Sequence, residues 1–213
     1  MARKTQISKE VILEAALKML IRDGYSAINI KTLSKEIGCS TQPLVWHFDN
    51  MEGLRKALAD HALKYANSKM RPSASESVNA FEQVGQAYIK MALYEPNLFQ
   101  FVFLNGSDCY PVGDSDVILD DKDNRELIKM IAAEFQISEK SAEQYVQNTV
   151  IYTHGIASFL ATGMMRLSEE EIMSMIHQAG NSFLKQAGIP EDRIPNRNCS
   201  AGLRIYCADR EKK

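Results

Sequence analysis

The chain has no run of eighteen apolar residues, and it opens on polar Ala2-Arg3-Lys4-Thr5-Gln6 where a secretory leader would be hydrophobic. Neither a membrane span nor export is expected, and the cytoplasm is the expected compartment. Cysteine is sparse. Cys39, Cys109, Cys199 and Cys207 are scattered without pairing or metal-ligand spacing, and His47, His61, His154 and His177 are equally dispersed. Reduced, independent thiols follow, and no metal or cofactor is expected. A phosphate-cradling glycine loop, a Gly-x-Ser-x-Gly elbow and a His-Glu-x-x-His pair are all missing, so the chain does not read as an enzyme. It has no internal repeat and no convincing strand. Charge of one sign is lacking too: a net charge of −2 over 213 residues excludes a protein that coats nucleic acid indiscriminately, while leaving room for a local basic surface.

What is present is ordinary for a globular protein, with 45% hydrophobic and 24% charged residues. The length suits two packed units, and the periodicity predicts an all-α fold. Ser8 caps a first helix whose apolar positions Ile12, Ala15, Ala16, Met19 and Leu20 recur at helical spacing, and Gly24 is placed to end it. A short extended stretch, Tyr25 to Ile28, is expected next. Asn29 then caps a two-turn helix with Ile30, Leu33 and Ile37 on one face, stopped by Gly38.

Only Gly38, Cys39 and Ser40 separate that helix from the next, for which Ser40 is the expected N-cap and Pro43 sits harmlessly in the first turn. Leu44 and Phe48, four apart, face inward and leave Thr41, Gln42, Trp46 and His47 to the outer and flanking faces. Two helices joined by so short a turn are a helix-turn-helix, a pattern that places its second helix in the DNA major groove. The head, residues 1–50, is therefore a candidate DNA-binding domain, and up to Asn50 it carries slightly more Lys and Arg than Asp and Glu.

Asp49-Asn50 caps a connecting helix over residues 51–71 with Leu54, Ala57, Leu58, His61 and Tyr65, and the Arg71-Pro72-Ser73-Ala74-Ser75 stretch marks a boundary. Residues 76–188 read as a helical body. Val78, Phe81, Val84, Tyr88 and Met91 form an amphipathic face ended by Pro96, followed by the apolar run Leu98 to Leu104. Asn105 to Asp123 reads as a surface loop whose aspartates match no calcium-loop spacing. Helical signal returns from Asn124 to Phe135 and from Ser138 to about Met165. In the latter, Val146, Val150, Ile151 and Ala157 fall on other sides than Tyr145, Thr149, Tyr152, Ile156, Phe159, Leu160 and Gly163, which implies two burial partners. A last helix opens on the capping box Ser168-Glu169-Glu170-Glu171 and stops at Gly188-Ile189-Pro190. The tail, residues 189–213, has no clear periodicity.

The run Ile30 to Ser40, with Leu44, the His47-Phe48 pair and the Asn50 to Leu54 stretch, resembles the tetracycline-repressor (TetR) family over about residues 8 to 60. Gln42-Pro43 and Trp46-His47 also look like sequences of that family. In the body, Glu95-Pro96-Asn97-Leu98-Phe99 and Tyr152-Thr153-His154-Gly155-Ile156-Ala157 are similar to segments of one of its C-terminal domain types. The resemblance implies about nine helices, the last two pairing with a second subunit as a four-helix bundle. It further implies a homodimeric regulator of transcription, usually a repressor, that binds a double-stranded DNA operator and is released by a small-molecule effector. Two positions depart from the family pattern: Val45 stands where Tyr is usual, and Met51 where a phosphate-contacting Lys is usual.

The candidate DNA-binding residues are Lys31, Ser40, Thr41, Gln42, Pro43, Trp46 and His47. Gln42 is the base reader, because its amide pairs bidentately with adenine N6 and N7. Lys31 and the helix caps are candidates for phosphate. With Met51 in place of a cation, Arg55 or Lys56 one turn on would have to substitute. If the body holds a ligand pocket, Tyr88, Phe101, Tyr152 and His154 are the candidates to line it, although residues at such spacing serve more simply as core. Cys39 reads as a small apolar side chain within the turn. The competing function, a ligand-binding or protein-interaction module of the same fold with weakened or lost DNA binding, is motivated by Val45 and Met51.

Overall fold

The computed structural model describes residues 7–71, 78–105 and 122–194, which hold nine α-helices, with no strand among the described residues. The first four helices are α1 (Lys9–Asp23), α2 (Ile30–Ile37), α3 (Gln42–Phe48) and α4 (Met51–Met70). Ser8 Oγ accepts from the Val11 N–H at 3.4 Å to start α1, and the Gly24 N–H closes it on the Leu20 carbonyl at 3.0 Å. Between α1 and α2, Tyr25–Ala27 form one 3-10 turn rather than the expected extended stretch. The Ile28 N–H reaches back to the Tyr25 carbonyl at 2.9 Å, which buries Ile28 and frees the Tyr25 ring to stack on Phe101 at 5.0 Å.

Asn29 caps α2 reciprocally with Thr32: Asn29 Oδ1 accepts from the Lys31 and Thr32 N–H groups at 3.0 Å each, and the Asn29 N–H donates to Thr32 Oγ1 at 2.9 Å. Gly38 ends α2 in the left-handed region at φ +75°. The expected Ser40 cap of α3 is displaced by one residue. Thr41 occupies the cap position without a side-chain hydrogen bond, its carbonyl accepting from the Val45 N–H at 3.2 Å. Pro43 in the first turn has no N–H to offer, which removes one of the two donors a cap side chain would satisfy. Asn50 caps α4, with Oδ1 accepting from the Gly53 N–H at 2.9 Å.

Two compact units divide the described residues. The first takes those within 1–71, 87–112 and 160–164, the second those within 72–86, 113–159 and 165–213. The first unit thus holds α1 to α4 together with the residues from Ala87 to Asn105. Its core joins Ile12, Ala16, Leu17 and Leu20 of α1 to Leu33, Leu44, Phe48, Leu54 and Leu58, all buried. Leu13 and Leu17, which the expected pattern left out, are buried as well, so α1 packs on more than one stripe, against α2, α3, α4 and α6 (Pro96–Phe99). Each fully buried Leu is worth about 1.5–3 kcal/mol.

α5 (Val78–Tyr94) ends before Pro96, which opens α6, and α6 runs on into a π-helical turn, Gln100–Leu104, closed by the Asn105 N–H on the Gln100 carbonyl at 2.8 Å. The wider turn sets Phe99 and Phe103 edge-on to Tyr88 at 4.9 and 5.0 Å. Asn97 Nδ2 donates to the Ile21 carbonyl at 3.2 Å, satisfying an acceptor at the end of α1.

The second unit is built by α7 (Lys122–Phe135), α8 (Glu139–Ala161) and α9 (Glu169–Gln186) around Ile128, Ile131, Ala142, Tyr145, Val146, Leu184, Ile189 and Ile194. The expected loop from Asn105 to Asp123 lies, at 106–121, outside the described residues, and its last two residues belong to α7. α8 stops four residues before the expected Met165, because Gly163 adopts φ +73° and the Met165 N–H turns back to the Phe159 carbonyl at 3.0 Å. Ser168 and Glu171 form the expected capping box of α9. Glu191–Arg193 add a 3-10 turn that delivers Ile194 into the core, so the tail begins as packed structure; 195–213 lie outside the described residues, as do 72–77 of the expected boundary.

Candidate nucleic-acid interface

α2 is held on α1 by buried Leu33 and, at the surface, by a fork between Arg22 and Glu36, Nη1 to Oε1 at 3.1 Å and Nη2 to Oε2 at 3.3 Å. The hydrogen bonds from Arg22 hold the Glu36 carboxyl below the usual carboxylate range. The pair is exposed and defines orientation more than stability. α3 is fixed from below by Leu44 and Phe48, and the intervening turn by the Cys39 N–H on the Ser34 carbonyl at 2.9 Å. Cys39 is a free, half-buried thiol.

This arrangement leaves one face of α3 to solvent. Gln42, Val45 and Trp46 are exposed, with Ser40 and Thr41 beside them and Pro43 half-buried. Trp46 is 67% and Val45 46% exposed, unusual for large apolar side chains on so short a helix. His47 is different. Half-buried, it donates from Nε2 to the Ile7 carbonyl at 2.9 Å, and its ring lies 4.7 Å from that of Trp46. Its ring therefore fastens α3 to the segment that precedes α1 and braces the indole.

The cations stand around α3 rather than on it, since no Lys or Arg occurs from Gly38 to Asn50. Lys31 is exposed on α2. The Lys31 and Thr32 N–H groups at the start of α2 are already taken by Asn29, so that cap offers its side chain cation and not those amides to a phosphate. Lys9, which sequence reasoning missed, places Nζ 5.6 Å from the centre of the Phe48 ring. Nothing in the local pattern signals it, because the two residues meet only in the folded head. Of the two substitutes for the cation missing at Met51, Arg55 lies over the Tyr25 ring at 5.6 Å and Lys56 is exposed.

The four candidate pocket residues are divided between the compact units. Tyr88 and Phe101 belong to the first. Phe101 is 5% exposed and committed to Tyr25, while burial pushes the Tyr88 hydroxyl well above its usual pKa. Tyr152 and His154 belong to the second, Tyr152 edge-on to Phe183 at 6.1 Å and His154 half-buried, with desolvation holding its imidazole below the usual pKa. Among the described residues no group of three or more His, Cys, Asp or Glu is placed to hold a metal ion, and no helix is long and apolar enough to cross a membrane.

Residues 12–58 match the family model of bacterial regulatory proteins, tetR family. The matched segment contains every residue of the candidate interface except Lys9. Over 188 residues the chain is 22% identical to YobS, an uncharacterized HTH-type transcriptional regulator of Bacillus subtilis (strain 168), covering 86% of this chain and 94% of that protein. The fold is similar to that of TetR from Acinetobacter baumannii AYE, with a TM-score of 0.56 at 17% identity, over 84% of this chain and 96% of that one. It is also similar to a variant of TetR from the same organism in complex with minocycline, with a TM-score of 0.52 at 16% identity and the same coverage. At these identities the structural likeness establishes the fold.

Proposed function

We propose that this chain, a helix-turn-helix transcriptional regulator of the TetR family, is a repressor that binds its operator as a homodimer and is released by a small-molecule effector in the cytoplasm. The observation that carries the reading is the solvent-facing Gln42, Val45 and Trp46 of α3, mounted on a helix whose other face is locked into the core by Leu44 and Phe48. Two such helices, held by a dimer, enter successive major grooves about 34–36 Å apart on a near-palindromic site. In this reading Gln42 reads a base edge. Lys31, Ser40 and Thr41 contact the backbone, Pro43 and Trp46 pack on the groove wall, and His47 sets the pose of α3.

Support for the dimer comes from α8, where Ile151 is 56% and Phe159 46% exposed, two large apolar side chains left in solvent on one helix. Support for an effector comes from the like-folded TetR variant in complex with minocycline. Release follows if the effector has higher affinity for a dimer whose heads are wrongly spaced, and operator and effector then weaken each other's binding by the same factor.

Val45 and Met51 favour one second reading, a module of the same fold whose head has lost its DNA contact. Fluorescence anisotropy with DNA from upstream of the chain's own gene, against scrambled DNA, separates the two. The regulator binds its site selectively and with steep salt dependence, and Gln42→Ala costs about 1–3 kcal/mol. Equal, weak binding to both duplexes is the result expected of the second reading.

A further inference from the structure

The bidentate contact that most often reads guanine in the major groove comes from Arg or Lys, and α3 with its flanking turns has neither. No acidic side chain stands on α3 to accept from cytosine N4. What α3 presents is one amide, Gln42, and two apolar side chains, Val45 and Trp46. Residues 42, 45 and 46 fall at the i, i+3 and i+4 spacing of a single helix face. The only methyl group on the floor of the major groove is that of thymine, and a Gln amide matches adenine N6 and N7. Both occur on A·T pairs.

Resting on the reading of α3 as the recognition helix, we infer that Val45 is a specificity-determining residue that packs on a thymine methyl, so that each half-site is read through A·T pairs, adenine by Gln42 and a thymine by Val45. Gln42 and Val45 are about 4.5 Å apart along the helix axis, close to the about 3.4 Å between successive base pairs, which puts neighbouring pairs within their reach. A β-branched side chain is stiff at χ1 in a helix, so Val45 meets the methyl with little entropy to lose. The braced indole of Trp46 shields the contact from water on one side.

The test uses the full chain and the duplex it selects from a random pool. Each thymine is replaced singly by deoxyuridine, which removes the methyl and leaves base pairing intact, and affinity is read by anisotropy. One or more thymines per half-site should lose about fourfold on replacement, the worth of one buried methyl. Val45→Ala should lose most of that sensitivity; Val45→Ser, which carries no methyl group, should lose it as well and serves if the alanine variant melts early. The inference is overturned if the selected site presents G·C pairs to α3, if no deoxyuridine weakens binding, or if both variants keep the full sensitivity, and in each case the regulator reading stands. Failure to select any duplex overturns both.

Discussion

At residue 47 an imidazole on α3 spends its Nε2–H on a carbonyl 40 positions away. The motif around His47 marks it as a DNA contact, but the partner, Ile7, has no signature in the sequence. His154 takes a different role from its surroundings. Half-buried in α8, it is held below the usual histidine pKa by desolvation, so the folded state favours the neutral ring. The stability this contributes is present above the ordinary value of about 6.5 and is lost as pH falls from there toward the folded value. The melting temperature should therefore fall between about pH 7.5 and pH 5.5, and His154→Gln should fall less steeply over that window. Identical slopes for both proteins would remove desolvation of His154 as the cause.

Between elements, two glycines set the helix-turn-helix for different reasons. Gly38 ends α2 at φ +75° with open space around the position of a Cβ, so Gly38→Ala costs only the left-handed conformation, about 1 kcal/mol. At Gly53 a Cβ would lie 2.2 Å from the Phe48 carbonyl oxygen, a backbone atom that cannot rotate away. Gly53→Ala should cost about 1–3 kcal/mol and in addition shift α3 against α4. Urea unfolding orders the two variants, and equal costs would contradict the account. The helices were legible because their signals are local: the Asn29, Asn50 and Ser168 caps, the Gly38 stop and the pair Leu44 and Phe48 all fall where periodicity puts them. What escaped is long-range or depends on fine geometry. The 3-10 turn at Tyr25 serves a stack on Phe101, α8 gives up its last turn to Gly163, and Ile194 packs into a core that its own neighbours do not announce. For the interface, exposure decided what sequence could only enumerate. Val45 reads as a departure from a family pattern until its 46% exposure beside Trp46 puts it on the solvent face of α3.

For the whole molecule, the proposed dimer makes DNA affinity and dimerisation one property, since a single head lacks the second half-site that multiplies its binding. Replacing Ile151 or Phe159 of α8 by Asp or Glu should convert the proposed dimer, of twice 24.0 kDa, into a monomer and cost operator affinity while leaving the melting temperature of the head nearly unchanged. Sedimentation velocity reads the first effect and anisotropy the second; an unchanged dimer would place the interface elsewhere. The central claim, that α3 reads DNA sequence in pairs, is tested most directly by selecting duplexes from a random pool with the purified full chain. The account predicts enrichment of one two-fold symmetric motif with half-site centres about 10 base pairs apart, or a multiple of that spacing, and loss of the motif with Gln42→Ala. A pool that emerges unenriched, or the same motif recovered by Gln42→Ala, would contradict it.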